Sequence, residues 1–416
     1  MRTAYKCRAY PTPEQASVLN RTFGCVRLVW NRVLAWRHAR WYGERLSTNV
    51  PQANTYLTQL KQVEEFAFLG KVSSVPLQQV LRTQQKAFAN FFAKRARYPR
   101  YKSRTGRQAA EYTRSGFRYR DGRLFLAKMD APLKFAWSWP DVDPATIDPT
   151  TVTVSRDPCG RWYISFAVDI VDPEQPPVTG AMAGVDLGVK DFAVTSDGEK
   201  IPNPRLLAKR ERNLARYQRR MARKRRGSNN RKKAKAKVAR AHRKVATSRA
   251  DFLHKTSTRL VRDHDVIVIE DLAVKNMVRN RRLAKAISDC GWGAFRRMLE
   301  YKTAKYGRRL IVIDRWHPSS KTCSKCGHLL AGLSLSTRRW TCPGCGTLHD
   351  RDINAAKNIL AAGRAVSACG GDVRHSESSR VRSPTKQEPQ PVKVGIPRLS
   401  RGEEVNSRIH HDEQTL

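Results

Sequence analysis

A multidomain α+β protein is what this sequence predicts, from three observations. A single alternating strand at the N terminus opens onto a long block of helical periodicity. A hairpin signal follows that block. Beyond it, short apolar runs that end in an acid alternate with helical stretches, and a cysteine quartet interrupts them. With 416 residues the chain has room for roughly two to four domains, each with its own core.

Taken in order, Tyr5, Cys7 and Ala9 alternate with Lys6, Arg8 and Tyr10, which predicts one strand over residues 1–10. Pro11-Thr-Pro-Glu-Gln15 supplies a turn and a helix start. From there to about residue 95 the period is helical: Val18, Leu19, Phe23, Val26, Val29, Trp30, Val33 and Leu34 form one stripe, and Leu77, Val80, Leu81, Phe88, Phe91 and Phe92 another. Arg97-Tyr-Pro-Arg-Tyr-Lys-Ser-Arg104 mixes bases with aromatics. That mixture suits phosphate contact with base or sugar stacking, or else an exposed linker. Val152–Ser155 and Trp162–Val168 flank Asp157-Pro-Cys-Gly160 and predict a hairpin. The first strand most economically joins that sheet, which makes the helical block an insertion. Residues 172–177, rich in proline, read as a linker, and 366–416, poor in periodicity, as a disordered tail.

Lys and Arg number 80 against 36 Asp and Glu, a formal net charge of +44. A compact chain so charged repels itself unless a polyanion neutralises it, so nucleic acid is the expected partner. Composition alone also fits a histone-like or ribosomal binder. Residues 205–249 concentrate 20 of the cations with one acid, Glu211. Two helices are legible there, with Leu207, Leu214, Tyr217 and Met221 on one stripe and Val238, Ala241 and Val245 on the other. Gly227-Ser-Asn-Asn230 separates them into a hairpin. No apolar run is long enough to span a bilayer, and nothing at the start reads as a secretory leader. Nine cysteines, four in two CxxC pairs, fit a reducing compartment with a metal site. The expected location is a reducing cytosol, with no membrane partner.

Three acids carry the candidate chemistry. Asp186 lies in Gly184-Val-Asp-Leu-Gly188, where small neighbours would let a metal and a phosphate approach the backbone. Glu270 ends the apolar run Val266–Ile269, at the carboxyl end of a predicted strand, where open α/β sheets keep their sites. Asp352 opens a helix whose Ala355, Ala356, Ile359 and Leu360 can pack on that sheet. Three close carboxylates raise one another's pKa, and divalent cations remove that penalty. Mg²⁺ favours oxygen ligands, so two Mg²⁺ roughly 3.5–4 Å apart are expected to drive in-line hydrolysis of a phosphodiester. Asp191, Asp271 and Asp350 are read as neighbours with structural roles.

Cys323-Ser-Lys-Cys326 and Cys342-Pro-Gly-Cys345 are 15 residues apart, each followed by glycine. Two such knuckles give tetrahedral thiolate ligation, so one structural Zn²⁺ is expected; four sulfurs leave no open position for catalysis. His317 and His349 flank the quartet and are left out of the ligand set.

Gly184-Val-Asp-Leu-Gly188, Ile269-Glu-Asp-Leu272, Ser319-Ser-Lys-Thr-Cys-Ser-Lys-Cys-Gly327 and His349-Asp-Arg-Asp-Ile-Asn-Ala-Ala-Lys-Asn-Ile359 together resemble the TnpB family of transposon-encoded proteins, as do Tyr10–Gln15 and Trp30-Asn31. The resemblance spans about residues 1–365. It implies an RNA-guided endonuclease, related to type V CRISPR effectors, that cuts double-stranded DNA beside a transposon-adjacent motif. It also implies a fold: a β-barrel wedge domain (1–10 and 105–180), a helical recognition domain (11–104), a RuvC-like RNase H nuclease domain (181–320 and 348–365) and a zinc ribbon (321–347). Asp186, Glu270 and Asp352 would be the catalytic, magnesium-binding triad. The partners would be a guide RNA and the target duplex, with base pairing reading sequence and the protein reading motif and shape. Two other readings use the same residues: a transposase that breaks and joins DNA, and a non-catalytic nucleic-acid-binding regulator.

Overall fold

A computed structural model describes residues 2–170, 175–334 and 336–368. The N-terminal alternation forms β1 (Arg2–Ala9), with Tyr5, Cys7 and Ala9 buried. Thr12 and Gln15 then make a reciprocal capping box with Pro13 at the first turn, and α1 (Pro13–Glu44) follows. Helices α2 (Val50–Gln62) and α3 (Ser74–Phe92) complete the helical block. Its apolar stripes meet in one core with the sheet: Leu19, Phe23, Val26, Val29 and Trp30 from α1, and Leu77, Val80 and Leu81 from α3. The segment 97–104 is anchored to the helical block through its main chain and Tyr98, with five of its eight residues exposed. Tyr98 stands edge-on to Phe88 and Phe91, Trp30 Nε1 donates to Arg100 O (2.9 Å), and Asn31 bonds the backbone of Lys102 in both directions. Only Tyr101 of its two tyrosines is exposed. Packing thus takes Tyr98, while Tyr101 and the bases Arg97, Arg100 and Arg104 stay exposed, where the expected phosphate contact or stacking would need them.

Strands β2 (Gln108–Thr113), β3 (Phe117–Arg120), β4 (Arg123–Leu126), β5 (Phe135–Ala136), β6 (Pro149–Arg156) and β7 (Trp162–Asp169) follow. The first sheet runs β2-β6-β7-β1-β5, all antiparallel, so the N-terminal strand lies inside a sheet otherwise built after residue 104. The β6–β7 hairpin turns at Gly160 (φ 80°), with Asp157 Oδ1 accepting from Cys159 N and Arg161 N. A closed barrel is not formed by the described strands. The ladder ends at β5, which pairs for two residues before Trp137 and Trp139 leave it to pack on Tyr5 at 5.3 and 5.2 Å between centroids. Aromatic packing seals that end in place of further pairing.

The second sheet contains β8 (Met182–Asp186), β9 (Asp191–Thr195), β10 (Lys200–Pro202), β11 (Val266–Glu270) and β12 (Arg309–Ile313) in the order β10-β9-β8-β11-β12. β8, β11 and β12 are parallel; β9 and β10 fold back antiparallel. Between β10 and β11 come α4 (Glu211–Ala222) and α5 (Asn229–Asp263), the basic hairpin. Gly227 takes φ 85° and Ser228 caps α5, while Leu214, Val238 and Val245 are buried. α5 runs well past residue 249 and leads into β11. Then α6 (Val274–Met277), α7 (Ala284–Cys290) and α8 (Trp292–Lys305) precede β12. The pair β13 (Arg339–Thr341) and β14 (Leu348–Asp350) and the helix α9 (Arg351–Ala368) close the described chain. Residues 366–368 of the expected tail belong to α9; the rest of it, 369–416, lies outside the described residues, as do 172–174 of the expected linker.

The second sheet is a middle layer. Ala183, Val185, Ile267 and Ile269 face Leu253 and Leu260 of α5 and Phe295 and Leu299 of α8. Val268, Ile311 and Ile313 face Ile359 and Leu360 of α9. At Gly184 the helix touches backbone: a Cβ there would fall 2.1 Å from Ala356 O and 2.6 Å from Leu360 N. Gly363 returns the arrangement, lying where a Cβ would meet the Val268 methyls at 2.5 Å. Gly184 was expected to make room for metal and phosphate, but that room is taken by α9. Gly188 serves the tight β8–β9 turn, where a Cβ would meet Asp191 O at 2.8 Å.

Gly184→Ala should therefore cost about 1–3 kcal/mol or more in chemical denaturation, because backbone must move. Gly24→Ala, in α1 with open space around its Cβ, should be neutral or stabilising by roughly 0.5–1 kcal/mol. Equal effects at the two sites would contradict the packing described.

Candidate functional site

Strand alternation decides which side chains share a face. In β8, Gly184 and Asp186 have the same parity; in β11, Val268 and Glu270 do. Gly184 and Val268 contact α9, so Asp186 and Glu270 emerge on the α9 side, at the carboxyl ends of neighbouring parallel strands whose last recorded pair is Ile269 with Val185. Asp352 occupies the first turn of α9. Asp350 sets that turn by accepting from the N–H groups of Asp352 (3.1 Å) and Ile353 (3.2 Å), and it is itself paired with Lys200 (2.6 Å). Three segments far apart in sequence thus bring three carboxylates to one end of the sheet.

Electrostatics register their proximity. Burial, then the negative charges of Glu270 and Asp352, push the Asp186 carboxyl up to about 7. Burial also raises Glu270, against the Ser319 hydroxyl and the nearby His317. Ser319 Oγ donates to Glu270 Oε1 at 2.5 Å, and Arg338 pairs with Asp352 at 3.6 Å. With these partners the three carboxylates do not all come within 4.8 Å of one another; among the described residues, only the cysteine quartet is clustered that tightly. The donor set is nonetheless the one a hard divalent cation prefers: oxygen only, partly buried, and carrying mutual repulsion that a cation would relieve. Asp271, next to Glu270, is committed elsewhere, to Arg296 and Arg315.

Cys323, Cys326, Cys342 and Cys345 gather their sulfurs within 4.8 Å, with Cys323–Cys345 at 3.7 Å and Cys326–Cys342 at 3.6 Å. Tetrahedral zinc with Zn–S near 2.3 Å requires S···S edges of about 3.8 Å, so the quartet fits a zinc ribbon. Each knuckle is built alike. Gly327 and Gly346 take positive φ (78° and 67°) so that their N–H groups can reach Cys323 O and Cys342 O, while Cys323 N and Cys342 N bond His328 O and Thr347 O. His349 stays outside the four, with Nε2 3.0 Å from Cys323 Sγ, and stacks on Trp340 across β13–β14.

Three residues unnoticed in the sequence join the two sites. Asn354 and Asn358, buried one turn apart on α9, both donate to Thr322 O (2.7 and 2.6 Å), and Asn358 also to Ser319 O (2.7 Å). Asn354 Oδ1 accepts from Ser324 N. The loop so held presents Ser319 to Glu270. The available signal was two amides at i and i+4 in an Ala/Ile helix, since buried amides require partners.

Comparison with known proteins adds the following. Residues 165–281 match a family described as a probable transposase (OrfB of IS605), and 292–359 match a Cas12f1-like TNB domain. Residues 1–45 match a domain described as helix-turn-helix, although here they form one strand and one 32-residue helix. A protein of Streptomyces pristinaespiralis named as an RNA-guided DNA endonuclease is 55% identical over 96% of this chain and 99% of its own length. Escherichia coli (strain K12) InsQ, bearing the same description, is 35% identical over 93% and 97%. Among solved structures, a Cas12f1 in complex with sgRNA and target DNA superposes with TM-score 0.58 at 15% identity, covering 84% of this chain and 83% of that one. A mini-RNA-guided endonuclease, Cas phi3, gives 0.51 at 10%, covering 87% and 92%. These low-identity likenesses share the mixed α/β multidomain fold.

Two outcomes follow. Cys342→Ser should take bound zinc from about one per chain to none by metal analysis, and trypsin should then cut within 321–350 while the wild type stays intact. Secondly, a carboxyl with a raised folded-state pKa contributes stability that is fully present below its unfolded value of 3.8 and lost as pH climbs through about 7. In EDTA, Asp186→Asn should be more stable than wild type at pH 8, on the order of 2 kcal/mol, with the gap closing toward pH 4 in denaturant titrations. Mg²⁺ should narrow the gap at pH 8.

Proposed function

This chain belongs to the TnpB family, and from that premise we propose that it is an RNA-guided DNA endonuclease whose active site is Asp186, Glu270 and Asp352. The observation that carries the site is the meeting of three acids from two parallel strand ends and a helix start, with Asp186 pushed to about 7 by burial and by the other two. The order β10-β9-β8-β11-β12, with the last two strands parallel to β8, supports a RuvC-like RNase H reading of residues 181–320 and 348–365. The remaining domains divide as the resemblance implies, with residues 1–10 and 105–180 as wedge, 11–104 as recognition helices and 321–347 as ribbon.

Asp186, Glu270 and Asp352 would hold Mg²⁺. When bound, that metal supplies activated water and charge neutralisation at the leaving oxygen. The chain's own residues do the positioning. Ser319 fixes the Glu270 carboxylate, Asp350 orients the α9 turn that carries Asp352, and Gly184 lets that turn come down onto β8. Arg338, paired with Asp352 and half-exposed, would have guanidinium donors left over for a phosphate oxygen. Guide RNA and target duplex meet a surface set by the +44 charge, most densely on the α4–α5 hairpin. Sequence choice lies with base pairing, so the protein needs one cleavage site, used on each strand in turn.

Purified protein with its co-purifying RNA should cut a matched plasmid target in Mg²⁺. Asp186→Asn, Glu270→Gln and Asp352→Asn should each fall to the uncatalysed background while binding the target within about twofold in gel shifts. Retained cutting by any of the three sinks the site assignment, and joined rather than cut products would point to strand transfer.

A further inference from the structure

Of the nine tryptophans, Trp316 is the one that the fold leaves in water, 84% exposed, whereas Trp30, Trp162, Trp292 and Trp340 are all below a tenth. Its loop is not loose. Trp316 N donates to Asp314 Oδ1 (2.7 Å) and His317 N to Asp314 O (3.2 Å), a side-chain turn that fixes the backbone at the indole. One residue before it, Arg315 pairs with Asp271; three residues after it, Ser319 donates to Glu270. Both anchors are neighbouring residues at the end of β11. The backbone at the indole is therefore tethered on both sides, with the Trp316 Cα within about 10 Å of that of Ser319, the residue that bonds Glu270.

A singly exposed ring is ordinary. Among the described residues, however, the other exposed rings reach at most 56%. Trp316 alone among them combines near-full exposure with a hydrogen-bonded loop anchored beside Glu270. At a protein interface such a ring sits in a core depleted of charge. Here the exposed neighbours are Asp314, Arg315 and Pro318, and among the described residues no ring packs on the indole. A single flat π-face flanked by a guanidinium, beside a phosphodiester-cleaving site, suits one unpaired base with its phosphate alongside.

We propose that Trp316 is a stacking platform for an unpaired nucleobase of the DNA strand being cut. Resting on the nuclease reading above, this makes it the residue that fixes which phosphodiester lies over Asp186, Glu270 and Asp352. Every base has a π-face, so the platform tolerates any target sequence. The cut position is then set by the distance from the indole to the acids rather than by the base stacked there. Trp316 is a substrate-positioning residue, and it exchanges no proton.

The test uses the protein with its co-purifying RNA, a matched duplex target, and the variants Trp316→Leu and Trp316→Phe. On an Asp186→Asn background, 2-aminopurine is placed at successive positions of each DNA strand. The platform predicts one or two adjacent positions whose fluorescence is quenched with Trp or Phe and released with Leu. With Asp186 intact, Trp316→Leu should cut about ten- to a hundredfold more slowly and spread its cuts over neighbouring phosphodiesters, while Trp316→Phe stays within about threefold. Target binding and melting temperature should be unchanged in both. Identical fluorescence profiles for Trp and Leu overturn the proposal, as does a loss of target binding in Trp316→Leu equal to its loss of cutting. A wild-type protein that binds its target yet never cuts would sink the nuclease reading alone, and the fluorescence profile would still decide the platform.

Discussion

Backbone-to-backbone contact between α9 and β8 at Gly184 is the constraint on which the site depends. Packed layers normally stand well apart, about 10 Å for two stacked sheets, because side chains fill the gap. Here that gap is emptied by Gly184 and Gly363 and by Ala355 and Ala356, so the helix descends onto the strands. Its first turn arrives beside the end of β8, and Asp352 beside Asp186. A single methyl at Gly184 would demand that α9 rise, carrying Asp352 away. At the opposite end of the same strands, Asp265 accepts from Thr179 and Gly180 and pairs with the buried Arg308. The starts of β8, β11 and β12 are thereby pinned, and their carboxyl ends kept in register.

Environment separates two adjacent acids into different roles. Asp271 is partly buried, which works against its charge, yet hydrogen bonds and charges from Arg296 and Arg315 carry its carboxyl below the ordinary range. Glu270, one residue earlier, has one hydroxyl donor and is carried upward. Asp271 is thus neutralised within the protein, and Glu270 and Asp186 retain unmet demand for positive charge. In a chain with +44 formal charge, leaving those acids without a full complement of cations is a local exception. That contrast points to a metal more strongly than the acids alone do.

What the sequence made legible was whatever depends on local period and spacing. The first strand, the helical stripes, the β6–β7 hairpin, the basic helical hairpin and the two cysteine knuckles all announce themselves within a few residues, as do acids that end apolar runs. What it hid depends on partners distant in the chain. Ser319 serves a carboxylate 49 residues earlier, and Asn354 and Asn358 serve carbonyls more than 30 residues earlier. Gly184 was misread because a small residue signals close approach without saying of what. In the segment 97–104 Tyr98 and Tyr101 look alike in sequence, and only the fold shows that Tyr98 packs on Phe88 and Phe91 while Tyr101 stays exposed. Barrel closure failed for a similar reason: two tryptophans after β5 prefer Tyr5 to a strand partner.

The zinc ribbon is joined to the candidate active site through α9 rather than hung beside it. One face of that helix, Ala355, Ala356, Ile359 and Gly363, packs on the sheet; another, Asn354 and Asn358, holds the main chain of Ser319 and Thr322. Thr322 adjoins Cys323, and Ser319 orients Glu270. Metal binding would draw the four sulfurs together and so fix the loop whose Thr322 meets the amides and whose Ser319 meets Glu270. A closed Cys₄ site does no chemistry of its own. Its placement between β12 and α9 nevertheless ties the ribbon to the acids, since one short loop bonds Glu270 through Ser319 and α9 through Thr322.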